Sequence, residues 1–133
     1  MSSKEIEMIL MRQLASYLTM PIFIADPAGT LVFYNEPAEH ILGRRFDETG
    51  EMPSAEWTTA WRPTDEAGVL LRPEHLPLSI ALAQGRPAHS QFWIHGTDNV
   101  RRHIEVFAFP LIGQAGRHLG AVAISWELGQ PCA

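Results

Sequence analysis

Short apolar runs separated by turn residues dominate the chain and predict β-strands. Two of these runs, Ile22–Ala25 and Leu31–Tyr34, flank residues 26–29, where a proline presets φ and Gly29 can take a positive φ. This pattern predicts a hairpin. Asn35 then offers a side-chain oxygen as the N-cap of a short helix, and Gly43 is the residue type that ends one. The stretch therefore predicts two strands followed directly by a helix.

The second half of the chain predicts one more helix and three more strands. Pro77 suits the first turn of a helix that ends near Gln84, before Gly85. Three segments rich in strand-forming apolar residues follow, which we predict as strands at residues 89–95, 102–111 and 118–128; the second of them alternates in the manner of a half-buried strand. Residues 44–75 are irregular, and we expect a loop there with one helix at residues 54–61, capped by Ser54. These elements predict an α+β domain with a five-stranded antiparallel sheet and short helices on one face.

Apolar residues at helical spacing near the N-terminus predict an amphipathic helix that ends near Leu18, because Pro21 favours an extended backbone before it. The apolar face is wider than one sheet surface needs. We therefore predict that the helix covers its own sheet and also forms a homodimer interface; the alternative is that it only covers the sheet. The predicted interface residues are Ile6, Met8, Ile9, Met11 and Leu14.

The ordered set of these motifs resembles the PAS domain, the small ligand-sensing and protein-interaction module of signalling proteins. The residues that carry the resemblance are Asp26, Gly29, Asn35, Ala38, Leu42 and Gly43, then Pro77, Leu78, Ala81, Leu82 and Gly85, and finally the run EVFAFPLIGQAGRHLG from Glu105 to Gly120. The resemblance implies the spatial strand order 2-1-5-4-3 and a ligand cavity between sheet and helices. We assign residues 1–18 to the N-terminal helix, 19–128 to the PAS domain and 129–133 to a tail.

Net charge and cysteine content limit the function classes. A formal net charge of −5 argues against a nucleic-acid partner, because that affinity comes largely from lysine and arginine at phosphates. The single cysteine, Cys132, excludes an internal disulfide and favours a reducing cytoplasm. No apolar run reaches the length of a membrane span or precedes a signal cleavage site. Since no effector follows Leu128, we expect output through a separate signalling protein such as a histidine kinase or a regulator.

A small apolar ligand or acyl chain is the expected occupant of the implied cavity, with His40 or Arg44 as polar anchors. Plain core packing is the alternative interpretation of the same apolar residues. If the assignment of inward and outward residues along the strand at 102–111 is shifted by one residue, Phe107 and Phe109 point inward instead. The predicted apolar lining is Ile41, Leu78, Leu82, Phe92, Ile94, Ile104, Val106, Val122 and Ile124.

Cofactor chemistry and catalysis are the competing hypotheses. The haem-binding relatives need a histidine on the helix that faces the sheet, and His75 is the candidate, although it precedes Pro77. The light-sensing relatives need a helical cysteine beside a flavin, and the only cysteine here is terminal, so a flavin remains an alternative only as a noncovalently bound group. No histidine spacing predicts a metal site. A small enzyme would use Asp26, Asp47 or Glu105 as a general base. No nucleophile motif accompanies them, so we predict a noncatalytic sensor that signals through dimer geometry.

Overall fold

The computed structural model of the chain describes residues 9–11, 13–14, 17–96 and 99–129. Its strands are β1 (Ile22–Ala25), β2 (Leu31–Tyr34), β3 (Ala88–His95), β4 (Arg101–Ile112) and β5 (His118–Glu127). Its helices are α1 (Glu36–Leu42), α2 (Phe46–Thr49), α3 (Ser54–Ala60) and α4 (Pro77–Gln84), with 3₁₀ turns at Pro73–His75 and Gln114–Gly116.

The five strands form one antiparallel sheet in the order β2-β1-β5-β4-β3, which confirms the predicted fold class and strand order. Side chains alternate between two faces of this sheet. On the inner face, which packs against the helices, Phe23 of β1 pairs with Ala123 of β5. On the outer face, Ile24 pairs with Val122, and both are buried in a second, smaller cluster.

Asn35 fixes the junction between the hairpin and α1. Its side-chain Oδ1 accepts hydrogen bonds from the backbone N–H of Ala38 at 3.2 Å and of Ile22 at 3.0 Å, while its Nδ2 donates to the carbonyl of Met20 at 2.9 Å. The helix ends at Gly43, whose φ is 75°. The predicted N-cap and helix stop are therefore both confirmed, and Asn35 additionally ties the start of β1 to the helix.

The segment between α1 and α4 contains two short helices rather than the one predicted. The additional helix is α2, a single turn with no buried residue, so no apolar period announces it in the sequence. Helix α3 begins at Ser54, so Pro53 occupies the N-cap position, where it makes no side-chain hydrogen bond. The prediction that Ser54 caps this helix was wrong. A hydrogen bond of 2.8 Å from the indole Nε1 of Trp57 to the carbonyl of Gly29 ties α3 to the β1–β2 turn.

The described part of the N-terminal segment is helical at residues 9–11, 13–14 and 17. Met11 is partly buried against the outer-face residues Ile22, Ile24 and Val122. Leu14 is more than half exposed. The described residues contain no helix that is long and apolar enough to cross a membrane.

Gly120 marks a close approach between β5 and the end of β1. It is buried, and its φ of +129° lies in a region that L side chains rarely adopt. A Cβ atom at this position would overlap the carbonyl oxygen of Ala25 and lie 3.0 Å from its carbonyl carbon and 3.1 Å from the Cα of Asp26. Only glycine allows the two backbones to meet in this way.

Candidate functional site

A cavity of about 90 Å³ lies between the inner face of the sheet and helices α1, α3 and α4. All five strands contribute to its wall, and among the described residues none that lines it carries an ionisable side chain. Because an ion loses its hydration in such an environment without gaining a counter-charge, the cavity favours a neutral occupant. Its lining consists of Phe23, Leu31, Ile41, Leu42, Trp57, Trp61, Pro63, Leu76, Pro77, Leu78, Phe92, Ile94, Ile104, Val106, Ala123 and Ser125.

Six of the residues proposed from the sequence as ligand contacts lie together in this wall. They come from α1, α4, β3 and β4. Whether they bind a ligand stays a prediction. The six are Ile41, Leu78, Phe92, Ile94, Ile104 and Val106.

Five other residues on that list lie outside the lining. Val122 and Ile124 point to the outer face, since Ala123 and Ser125 occupy the inward positions of β5; the predicted parity of this strand was wrong. Leu82 packs against the core without reaching the cavity. His40 and Arg44 line a separate pocket, so neither is placed as a polar anchor for the cavity.

Two lining residues carry polar atoms that have no hydrogen-bond partner among the described residues. These atoms are the hydroxyl Oγ of Ser125, which is fully buried, and the indole Nε1 of Trp61, whose residue is 6% exposed. A buried donor or acceptor left unpaired costs about 1–3 kcal/mol. The sequence identified Trp57 and Trp61 as residues on one helical face, but nothing in it identified Ser125.

The three carboxylates weighed as a general base all lie outside the cavity. Asp26 accepts hydrogen bonds at 3.0 Å from the backbone N–H groups of Ala28 and Thr30, which is the turn role. Asp47 pairs with Arg45 on the surface at 2.9 Å.

Glu105, the third carboxylate, lies on the outer face of the sheet. A hydrogen bond from Gln91, and then one with His89 at 2.6 Å, hold its pKa below the usual value. A carboxylate that works as a general base in an apolar pocket needs a raised pKa. The environment of Glu105 therefore has the opposite effect, and its contacts with Gln91 and His89 indicate a structural role.

His75 lies at the end of a 3₁₀ turn, exposed, and outside the lining. No histidine lines the cavity, and its volume is far below the roughly 300–1,000 Å³ of pockets that hold drug-sized ligands. The lining residues therefore do not fit a haem. Within the described ranges, no group of histidine, cysteine and acidic side chains could hold a metal ion.

The outer face of the sheet carries exposed aromatic residues beyond the area that Met11 contacts. Phe107 is 43% exposed and Phe109 is 37% exposed. Phe109 pairs across the strands with Val122, which belongs to the cluster that packs against Met11. The N-terminal segment and these aromatic residues thus contribute to one continuous apolar surface on the side of the sheet opposite the cavity.

Filling the cavity should cost less stability than filling the packed core beside it. Ala123 lines the cavity, whereas Ala121, two residues earlier on the same face of β5, is fully buried in packed core. We expect Ala121→Val to lower the free energy of unfolding by about 1–3 kcal/mol through overpacking, and Ala123→Val by less than about 1 kcal/mol. Denaturant unfolding of both variants checks this. Equal losses would show that the space beside Ala123 cannot accept two methyl groups.

Comparison with known proteins gives one family and many structural neighbours. The sequence profile of the PAS fold matches residues 16–131. Among solved structures, the PAS domain of a protein from Colwellia psychrerythraea has a TM-score of 0.64 at 16% identity, covering 92% of this chain and 97% of that one. The Rhodobacter sphaeroides LOV protein has a TM-score of 0.71 at 17% identity, covering 96% and 70%.

The PAS domain of BvgS from Bordetella pertussis has a TM-score of 0.61 at 14% identity, covering 93% of this chain and 87% of that one. Identities this low show a shared fold and nothing finer. A search of curated proteins found no match.

Proposed function

Since the profile match covers most of its length, the chain belongs to the PAS family, and from this premise we propose that it is a noncatalytic sensor and protein-interaction module in signal transduction. One observation carries the proposal. An apolar cavity and an exposed apolar surface lie on the two faces of one sheet, and β5 contributes to both. An input bound on the inner face can therefore change the outer face through this single strand.

The proposed input is a small apolar ligand in the cavity. Its support is the lining, in which apolar side chains surround empty space and, within the part of the chain that the structure describes, no ionisable group is present. Native mass spectrometry of the protein purified from its own host tests this directly, because it reports a bound mass and the oligomeric state in one spectrum. A ligand-free spectrum that stays unchanged after addition of host extract would contradict the ligand role.

The proposed output is a change in the geometry of a homodimer, which passes to a separate protein such as a histidine kinase or a regulator. Support for the dimer comes from the exposed apolar residues of the N-terminal segment. Of the predicted interface residues, Ile9 and Leu14 are exposed, and Met11 faces the protein's own sheet. Ile6 and Met8 lie outside the described residues.

Leu14 offers the sharpest test of the dimer, because it is 55% exposed and is not among the residues that pack on the sheet. We expect Leu14→Glu to raise the dimer dissociation constant at least about tenfold, because association would bury a carboxylate beside apolar groups. Light scattering coupled to size exclusion measures the mass over a dilution series.

Gln13→Glu is the matched control for Leu14→Glu. It adds the same charge at the neighbouring exposed position without removing an apolar side chain. Association should survive in this control. If Leu14→Glu associates as tightly as the unmodified chain, the helix face is not the interface.

A flavin or haem sensor, the alternative that the family resemblance raised, receives less support. The cavity volume is unfavourable to both groups, and the lack of a lining histidine among the described residues is unfavourable to a haem. An enzyme is also less supported, since none of the candidate carboxylates reaches the cavity. A visible absorption band in purified protein would favour the cofactor alternative.

A further inference from the structure

Two unpaired polar atoms of the lining residues restrict the chemistry of a molecule that occupies the cavity. Ser125 Oγ and Trp61 Nε1 are both more than nine-tenths buried, both belong to lining residues, and neither has a partner among the described residues. They come from opposite walls, one from the central strand β5 and the other from the C-terminal end of α3. An apolar cavity with two separate unpaired groups favours an occupant that pairs with them.

Trp57, one helical turn before Trp61, shows that a lining indole in this protein can be satisfied internally. Its Nε1 donates to the carbonyl of Gly29, which leaves only its ring for the cavity. Trp61 has the same residue type on the same helix face, yet its N–H has no such acceptor. Of these two indoles, only that of Trp61 therefore has an N–H left to pair with an occupant.

We propose that the cavity binds a small, uncharged and mostly apolar molecule that carries a carbonyl or hydroxyl oxygen. This inference rests on the proposed ligand-sensing function and specifies its ligand class. The indole N–H of Trp61 can only donate, so the ligand must present an acceptor. The Ser125 hydroxyl can donate to the same or a second oxygen, or accept from a hydroxyl.

The volume and the charge of the cavity restrict the proposed ligand class further. A cavity of about 150 Å³ lined by aliphatic and aromatic side chains takes up the six carbon atoms of benzene, so the volume of about 90 Å³ here holds about four non-hydrogen atoms in proportion, and its partly open side leaves room for about one more. A carboxylate is disfavoured because no cation lines the wall. A single water molecule accounts for only about 30 Å³ and leaves the apolar wall without contacts, so an organic molecule complements the site better.

A three-probe titration followed by ¹⁵N NMR of the indole groups tests the proposal on the full chain. The probes are butanone, the alkene in which a CH₂ group replaces its carbonyl oxygen, and propionate. Trp61→Phe identifies the Trp61 indole signal by its disappearance. We expect butanone to move this signal downfield, as hydrogen bonding does, and to bind about fivefold more tightly than the alkene. Propionate should not bind.

Ser125→Ala tests how much of the ligand affinity comes from hydrogen bonding and how much from the shape of the cavity. We expect it to weaken butanone about fivefold and to leave alkene affinity unchanged, while Ser125→Thr, which keeps the hydroxyl, retains butanone binding. Equal affinity of alkene and butanone, or no effect of Ser125→Ala, would overturn the proposed ligand class and leave an apolar-ligand sensor intact. Failure of all three probes to move any cavity resonance would contradict ligand entry itself, and thus both proposals.

Discussion

Gly120→Ala is expected to unfold the domain or to prevent its folding. The added Cβ would overlap the carbonyl oxygen of Ala25 in the neighbouring strand, and the contact is backbone on both sides, so no flexible side chain can move away. The positive φ of Gly120 adds strain of its own. We expect a loss of more than about 4 kcal/mol, comparable with the whole stability of an ordinary domain. Thermal unfolding and the yield of soluble protein measure it.

Gly116→Ala is the matched control for this prediction. Gly116 also has a positive φ, of 71°, but a Cβ there would meet nothing within 4 Å. It should therefore show only the conformational cost, about 1–2 kcal/mol. If Gly120→Ala costs no more than Gly116→Ala, the close approach of β5 to β1 is not present in the folded protein.

Asn35→Ala is expected to lower the free energy of unfolding by about 2–4 kcal/mol. The substitution removes the N-cap of α1, worth about 1 kcal/mol, and leaves the buried N–H of Ile22 and the carbonyl of Met20 without the partners they have now. Denaturant titration measures the change, and the slope of the transition should not change, because the folded state keeps its compactness.

Asn35→Ser separates the two contributions. Serine retains a side-chain oxygen for the cap but is too short to reproduce all three hydrogen bonds of Asn35. We expect a loss of about half that of Asn35→Ala. If both variants unfold at the same denaturant concentration as the unmodified chain, the hydrogen bonds at this junction contribute no net stability.

The parts of the fold that could be predicted from sequence are those fixed by local backbone chemistry. Asp26 bonds its own turn, Asn35 caps α1, and Gly43 and Gly85 end helices in the left-handed conformation, each for a reason that lies within a few residues of the position. The inward face of β3 and β4 could also be predicted, because polar residues such as Gln91 and Glu105 stand between the inward-facing apolar ones.

Which residues of β5 face the cavity could not be predicted in the same way. Residues 121–124 are all apolar, because this central strand is buried by the core on one side and by the second cluster on the other. Alternation is lost when both faces are covered. Ser125 faces inward although it is polar, so the usual rule that polar strand residues face solvent predicts the wrong face there.

The central position of β5 has a thermodynamic consequence for regulation. If occupancy of the cavity alters the association of two copies through this strand, linkage requires that association alter ligand affinity by the same factor. The response threshold would then depend on how much of the protein a cell makes as well as on how much ligand is present. Abundance would act as a second adjustable input, set by gene expression rather than by any change in the cavity.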